Sequence, residues 1–594
     1  MSSGKSEVLR GGEFLLRTCS ADEVFIPEEK SEEQQNIYDM ARAFALQEIM
    51  PVHAQLEQQE AGLNERLLEQ AGALGLLGAS VPEAYGGFEK DFVTNTFMTE
   101  AIGFVGSMAV SLLAHSGIGT LPILYYGTEE QKKKYLPRLV TGELKAAYCL
   151  TEPGSGSDAL GARTTALPAS DGSHYILNGQ KMWITNGGFA DVFIVFAKVN
   201  GTDFTGFIVE ANAPGVVRGA EEKKMGIKGS STRQIFFQDV QVPKENVLGI
   251  IGKGHQIAFN VLNIGRHRLA AAVLSSAKWL TELSVQYALQ RHQFQQPIAQ
   301  FGAIQHKLAQ QALLTWVNES AVYRSAHDME QRKQQLLVEQ RPYHEALMGA
   351  AEEYAIECAL LKVTASEMLD YVVDECVQIH GGMGFSEEAV PARAYRDARI
   401  NRIFEGTNEI NRLLSVDMLL KRALKGRLDL MTPALALQQE LTGLPAENAP
   451  LADSPYAAEL QMVQNMKKAF LLVAGSAALR LREQLEQEQE IVMYSADILA
   501  AAYLAESALL RLIKMQKQGR SVTVQEDVVR VFLHDALDNL SVWGRNAIEA
   551  FAEGDEQKML LLGLRRFTRA EPFNRKAARR RIAAYLIAEQ GYRL

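Results

Sequence analysis

The sequence predicts a mainly α-helical protein with a β domain in its middle, and three observations carry that reading. Apolar residues recur at helical spacing from about residue 32 to 146, and again beyond Gly252. Between them, the stretches 191–197, 204–209 and 234–242 are β-branched or aromatic runs punctuated by Gly, Asn and Pro. Further on, Thr432-Pro433, Leu444-Pro445, Ala449-Pro450 and Ser454-Pro455 interrupt the helical pattern before it resumes. The 594 residues allow about four domain-sized units. The expected organisation is a helical N-terminal domain over 1–147, a β domain over 148–245, a helical bundle over 246–430, a linker over 431–455 and a C-terminal helical domain over 456–594.

In the first domain, Val81-Pro-Glu-Ala-Tyr-Gly-Gly87 is a turn-rich break between helices. Gly127 closes a helix, and Thr128-Glu-Glu-Gln131 has the form of a capping box that opens the next. After the β domain, long amphipathic stretches run 256–290, 303–332 and 343–378, and four helices of this length suit a four-helix bundle. In the last domain, Ile498, Ala502, Ala505, Leu509 and Leu512 share one helical face.

Composition narrows the function classes. Hydrophobic content of 47% and charged content of 22% are those of a soluble globular protein. A formal net charge of -10 argues against a nucleic-acid partner. The four cysteines form no CxxC pair, which suits a reducing compartment and argues against a disulfide framework or a zinc site. No His pair stands at metal spacing near acidic ligands, so no metal is assigned. The N-terminus has neither an apolar signal core nor the form of an Arg-rich transit peptide, and a cytoplasmic location is expected. The apolar run 469–479, between Lys468 and Arg480, is too short to span a bilayer.

Several stretches could carry chemistry. Arg402-Ile-Phe-Glu-Gly-Thr-Asn-Glu-Ile-Asn-Arg412 places Glu405 beside Gly406 at a loop-to-helix junction, with Thr407 or Asn408 as cap. On these residues alone Glu405 is either a general base or a solvated turn residue. Cys149-Leu-Thr-Glu-Pro-Gly-Ser-Gly-Ser-Asp158 offers small donors and free N–H groups that can cradle a phosphate or a ring edge, or is a plain connector. It is neither a P-loop nor a dinucleotide fingerprint. Gln180-Lys-Met-Trp-Ile-Thr-Asn-Gly-Gly188 is an aromatic in a strand or a flat wall for a cofactor ring. Arg291 ends a long helix and can reach a phosphate or serve as a cap. Gln378-Ile-His-Gly-Gly-Met-Gly-Phe385 is a helix stop with a loop, in which His380 reads as structural. Arg393, Arg396, Arg399 and Arg402 read as a solvated, salt-bridged face.

In their order and spacing these motifs, with Met-Gly-Ile-Lys-Gly-Ser at 225–230, resemble the acyl-CoA dehydrogenases. The extension after 430 makes the likeness strongest to the very-long-chain branch and to bacterial relatives in fatty-acid β-oxidation. The resemblance implies a helical N-terminal domain, a β-barrel-like middle domain, a four-helix bundle and one FAD per subunit. It implies α,β-dehydrogenation of fatty acyl-CoA to the trans-2-enoyl-CoA, with Glu405 as the base. Tyr148, Leu150, Thr151, Gly156 and Ser157 would line the flavin, and Trp183, Ile184 and Thr185 would flank its ring. Arg291, Phe294, Gln378 and Gly382 would reach the FAD of a neighbouring subunit, which implies a homodimer or a dimer of dimers. Thr407 and Glu409 would touch the nucleotide end, although Glu409 departs from the Gln often found there. Ser157, Asn263, Arg266 and Gly406 match substrate-side positions.

Some relatives carry their base just before the Arg that Arg266 matches; here that residue is Gly265, which leaves Glu405. The Thr-Glu-Pro-Gly-Ser-Gly-Ser-Asp form sets the chain apart from the acyl-CoA oxidases, so electron-transferring flavoprotein is the implied acceptor. The family's acyl pocket is floored by the helix at about 107–118. Here Ala109, Ala114 and Gly117 are small and Val110 and Leu113 apolar, so long-chain substrates are expected. In the very-long-chain branch the C-terminal region holds the enzyme on a membrane. The basic stretch from Arg565 to Arg581 is the candidate for such contact, against a bundle-packed helix as the alternative. Two other functions stay open: a non-catalytic scaffold of the same family, and a dehydrogenase of a branched or aromatic acyl-CoA.

Overall fold

The structure is a computed structural model and describes residues 8–442 and 455–594. Among the described residues, seven α-helices form the first domain: α1 (Glu32–Phe44), α2 (His53–Glu57), α3 (Leu63–Ala73), α4 (Phe92–Ile102), α5 (Ser107–Leu113), α6 (Leu121–Tyr126) and α7 (Glu129–Val140). The capping box at Thr128 is present: its hydroxyl accepts from Gln131 N–H, and Gln131 Oε1 accepts from Thr128 N–H. The stretch Ser107–Tyr126 is long and apolar enough to cross a membrane, but 78% of its most apolar window is buried in the protein, so it is read as core.

The middle domain is one sheet of eight strands: β1 (Ala146–Cys149), β2 (Thr165–Pro168), β3 (His174–Thr185), β4 (Val192–Val199), β5 (Asp203–Glu210), β6 (Val216–Glu221), β7 (Thr232–Pro243) and β8 (Val247–Leu248). The order is β6-β7-β3-β2-β4-β5-β8, with β1 parallel to β4. The three expected strands are β4, β5 and β7. Periodicity does not single out the other five, because β1, β2, β6 and β8 are short and β3 is mostly polar or half-buried. The inner face packs Phe193, Val195, Phe207 and Phe237 into one cluster.

The bundle comprises α8 (Gly254–Gln290), α9 (Gly302–Val338), α10 (Tyr343–Glu353), α11 (Ala355–His380), α12 (Val390–Ala398) and α13 (Asn408–Leu424). The last region holds α14 (Met431–Thr442), α15 (Ala457–Leu481), α16 (Gln489–Lys517), α17 (Thr523–Phe551), α18 (Gly554–Phe567) and α19 (Arg575–Ala588). One apolar cluster runs without a break from Trp316 in the bundle to Tyr503 and Leu586 beyond it. Buried charges cross the same junction. Arg324 Nη2 donates to Glu506 at 3.0 Å and Arg511 Nη1 to Glu319 at 2.8 Å. The segment 8–30 is strapped across it, with Lys467 Nζ donating to Arg17 O at 3.0 Å and Arg511 binding Glu28 at 2.7 Å.

The expected linker over 431–455 is corrected in its first half, where α14 is a helix. Pro433 lies in the first turn, where its missing N–H costs little. Leu437 is buried, and Glu440 accepts from Lys468 and Arg566. Residues 443–454 lie outside the described residues. In the basic stretch, Arg566, Arg575, Arg579 and Arg581 pair with Glu440, Asp535 and Asp538, Asp535, and Asp527 respectively, while Arg565, Arg569, Lys576 and Arg580 are exposed.

Candidate active site

Between the short turn Arg399–Arg402 and α13, Glu405 and Gly406 both adopt positive φ, 58° and 82°. For a residue with a Cβ that backbone costs roughly 1–2 kcal/mol. Donors to the surrounding carbonyls offset the strain. Arg266 Nε reaches Glu405 O at 3.1 Å, Lys362 Nζ reaches Gly406 O at 2.7 Å, and Asn411 Nδ2 reaches Gly406 O at 2.7 Å. Thr407 caps α13, its hydroxyl accepting from Ile410 N–H at 3.3 Å. Among the described residues the Glu405 N–H donates to no main-chain or side-chain acceptor.

The Glu405 carboxylate edges a cavity of about 1150 Å³ of empty space, partly open to solvent. Its Oε2 is buried with no hydrogen-bond partner. Burial pushes the carboxyl up to about 7, against the downward pull of Arg266 and Lys362. A base poised there can both hold and give up a proton near neutrality. A Cβ built on Gly265 would lie 2.6 Å from Oε2, so the residue at the rival base position is small because Glu405 occupies its space.

Lys362 is fully buried in α11 and also donates to Asn408 Oδ1 at 2.7 Å. Burial pushes its ammonium down to about 7, with Glu405 opposing. Lys362→Met removes a charge that favours ionised Glu405. The limb of the kcat/KM profile that rises with pH as Glu405 deprotonates is expected to move up by about one unit. A profile superimposable on the parent's would show that the base does not feel this charge.

The cavity wall on α8 is Gly265, Arg268, Leu269, Ala272, Val273 and Ser276, at the spacing of one helical face. Ala109, Val110, Leu113, Ala114 and Gly117 all line it, as expected for the floor helix. Thr185 lines it too, so the flavin-side motif and the base meet in one space. Positive φ at Trp183, Asn186 and Ile227, 60°, 63° and 45°, gathers further backbone strain around it.

The loop after β1 fits a flat cofactor. Met182 N–H donates to Thr151 O at 2.9 Å, which lays the 151–158 loop beside Trp183, a ring 52% exposed. A Cβ on Gly154 or Gly156 would meet nothing within 4 Å, and Ser157 is exposed there. Tyr148 and Leu150 are buried behind the loop. The Ile184 side chain packs in the β-domain core, which leaves its main chain to face a ring. Asn263 is buried and accepts from Arg266 Nη1 at 3.0 Å. Glu409 is exposed on the first turn of α13.

Arg291, Phe294, Gln378 and Gly382 are exposed and do not line the cavity. They gather at the far ends of α8 and α11, which are joined by the stack of Tyr287 on His380, 4.1 Å between centroids. Gly265 and Arg291 are separated by about 39 Å of helix at 1.5 Å per residue. Of the arginine row, Arg396 pairs with Glu387 and Arg402 with Asp370, as a solvated face would. Arg393 does not; it lines the cavity and donates to His53 Nδ1 at 3.1 Å.

Sequence reasoning missed Lys362, Asn411, Glu152 and Lys181. Lys181 is fully buried and donates to Glu152 Oε1 at 2.7 Å and to Leu150 O at 3.1 Å. Glu152 also accepts from Arg163 N–H at 2.6 Å and Thr164 Oγ1 at 2.6 Å. Burial raises the Glu152 carboxyl, but Lys181 and these donors outweigh it and hold the group below its ordinary range. The available signal was a lone charge inside an apolar run, as at Lys362 in Leu360-Leu361-Lys362-Val363.

Family models for acyl-CoA dehydrogenase match the chain in sequence: an N-terminal domain over 31–143, a middle domain over 147–240, and C-terminal domains over 252–420 and 465–566. A probable acyl-CoA dehydrogenase of Bacillus subtilis (strain 168) is 46% identical over 594 residues, 100% of both chains. The human mitochondrial very long-chain specific acyl-CoA dehydrogenase is 44% identical over 353 residues, 57% of this chain and 51% of that one. The chain thus matches about half the length of that relative. The crystal structure of a Bacillus anthracis acyl-CoA dehydrogenase complexed with FAD superposes with a TM-score of 0.96 at 48% identity, covering 98% of this chain and 100% of that one.

Proposed function

This chain belongs to the acyl-CoA dehydrogenase family, and from that premise we infer that it oxidises long-chain fatty acyl-CoA to the trans-2-enoyl-CoA with Glu405 as its base. It is an FAD-dependent oxidoreductase acting on acyl-CoA. The observation that carries the finer reading is the buried, unpartnered Glu405 Oε2 in the cavity that Thr185 also lines.

The α C–H of a thioester is a weak acid. It gives up a proton only if the charge growing on the thioester oxygen is stabilised as the proton leaves. Glu405 suits both tasks: its carboxylate takes the proton, and its main-chain N–H is a donor without a protein acceptor. Trp183 and Thr185 would hold FAD, which when bound would supply the acceptor for the β-hydrogen. Arg266 and Lys362 hold the loop carbonyls and favour the ionised base. The apolar wall keeps water from competing for the proton.

The cavity supports a long acyl chain. Its α8 wall runs from Gly265 to Leu280, about 22 Å at 1.5 Å per residue. We extend the reading to a cytoplasmic homodimer that passes electrons to electron-transferring flavoprotein. The exposed Phe294, Met383 and Phe385 support a subunit contact at the far end of α8.

The purified protein is expected to be yellow and to bleach anaerobically with palmitoyl-CoA. Its kcat/KM is expected to be at least about tenfold higher for palmitoyl-CoA than for octanoyl-CoA, which burying two more CH₂ groups at about 0.8 kcal/mol each would supply. A clear octanoyl-CoA preference would overturn the long-chain assignment, and a colourless protein unable to take up FAD would favour a scaffold.

A further inference from the structure

The acyl cavity is apolar along most of its wall but not at the corner formed by His53, Arg393 and Asp397. The start of α5, which borders that corner through Gly106, packs along α8 beyond Gly265. Gly103 packs on Ala272, a Cβ there meeting Ala272 O at 2.0 Å, and Ser276 Oγ donates to Gly103 O at 3.2 Å. Phe104 faces Trp279 with ring centroids 5.8 Å apart. The start of α5 is therefore level with residues 272–279 of α8, about 10–21 Å along the helix from Gly265. Gly106, three residues after Gly103, borders the corner. A Cβ on it would lie 3.3 Å from Asp397 Oδ2 and 3.8 Å from His53 Nε2.

The polar atoms there are arranged as an unfilled site. His53 is 6% exposed. Its Nδ1 accepts from Arg393 Nη1, so the ring proton sits on Nε2, and that N–H has no acceptor among the described residues. Burial and the Arg393 charge hold the ring neutral by lowering its pKa. Asp397 Oδ1 is anchored by Ile227 N–H at 2.5 Å, which leaves Oδ2 facing Gly106. Arg393 has no carboxylate partner among the described residues, unlike its neighbours Arg396 and Arg402.

We propose that this corner is a subsite for an acyl chain whose far end carries a hydroxyl group, so that the protein dehydrogenates ω-hydroxyacyl-CoA thioesters as well as plain ones. A hydroxyl can accept from His53 Nε2–H and donate to Asp397 Oδ2 at once. A terminal methyl would shut both groups away from water without a partner, which disfavours it. A terminal carboxylate is disfavoured, because it would bring a second negative charge beside Asp397. The reaction is unchanged: the α-proton goes to Glu405, the β-hydride to FAD, and the distant hydroxyl is only bound. The inference rests on the acyl-CoA reading above.

The test compares kcat/KM for plain and ω-hydroxy esters of lauroyl-, myristoyl-, palmitoyl- and stearoyl-CoA, in the parent holoenzyme and in His53→Leu. At one chain length the parent is expected to use the hydroxy ester at least as well as the plain one. In His53→Leu the hydroxy-to-plain ratio at that length is expected to fall about tenfold, the worth of one hydrogen bond. Arg393→Met, which frees His53 Nδ1, gives the same reading if the first variant does not accumulate. A parent that prefers the plain ester at least tenfold at every length, or a ratio unchanged in both variants, means that water fills the corner and overturns the subsite alone. Turnover of neither series overturns the acyl-CoA reading itself, and the subsite with it.

Discussion

Glu405→Gln is expected to keep FAD and still bind acyl-CoA while losing about 10²–10⁴-fold in kcat, the range general-base catalysis supplies. The amide is nearly isosteric, so the left-handed loop, its N–H and the donors from Arg266, Lys362 and Asn411 should stay in place. What disappears is the negative charge of a carboxylate whose buried Oε2 has no protein partner. Stopped-flow bleaching of the flavin by palmitoyl-CoA separates the proton-removal step from binding. Near-parental bleaching would place the base elsewhere. Gly265 cannot be that base, and Asp397 is anchored through Oδ1 by Ile227 N–H.

The second large effect concerns the cofactor. Lys181→Met leaves Glu152 buried without its cation, in a cluster where both side chains are almost wholly excluded from water. Breaking one side of a buried pair costs about 3–5 kcal/mol. Here the cost falls on the 150–164 segment, because Glu152 also ties Arg163 and Thr164 to it. The variant is expected to purify with much less FAD, read from the ratio of flavin to protein absorbance, and to melt at lower temperature. Adding Glu152→Gln removes the stranded charge and is expected to recover part of the stability. Full FAD content in Lys181→Met would show that the loop is held by its main chain alone.

The legible parts of this protein were those set by neighbours in the chain. The capping box at Thr128, the Thr407 cap and the strands β4, β5 and β7 all follow from residues a few positions apart. The floor of the cavity came from the family resemblance rather than from spacing, and Ala109, Val110, Leu113, Ala114 and Gly117 do fall on its wall. The linker reading failed over 431–442 because Pro433 was weighed together with Pro445, Pro450 and Pro455. Pro433 falls in a first turn, where a helix tolerates it, and Leu437 has a core to enter.

Charge was the harder matter. Arg393, Arg396 and Arg402 are alike in spacing, yet two meet carboxylates at the surface and one turns into the cavity toward His53. Their surroundings come from α2, α11 and the loop before α12, none of which the row itself can name. The same holds for Glu405. Its position at a loop-to-helix junction follows from the local pattern of Gly406, Thr407 and the apolar residues after them. Its rise to about 7 follows from desolvation where α8 and α11 pack around it, which outweighs the opposite pull of Arg266 and Lys362. Backbone periodicity is a property of adjacent residues, whereas desolvation depends on every group packed around a charge, so helices and caps can be read from spacing and a base becomes visible only once the chain has closed around it.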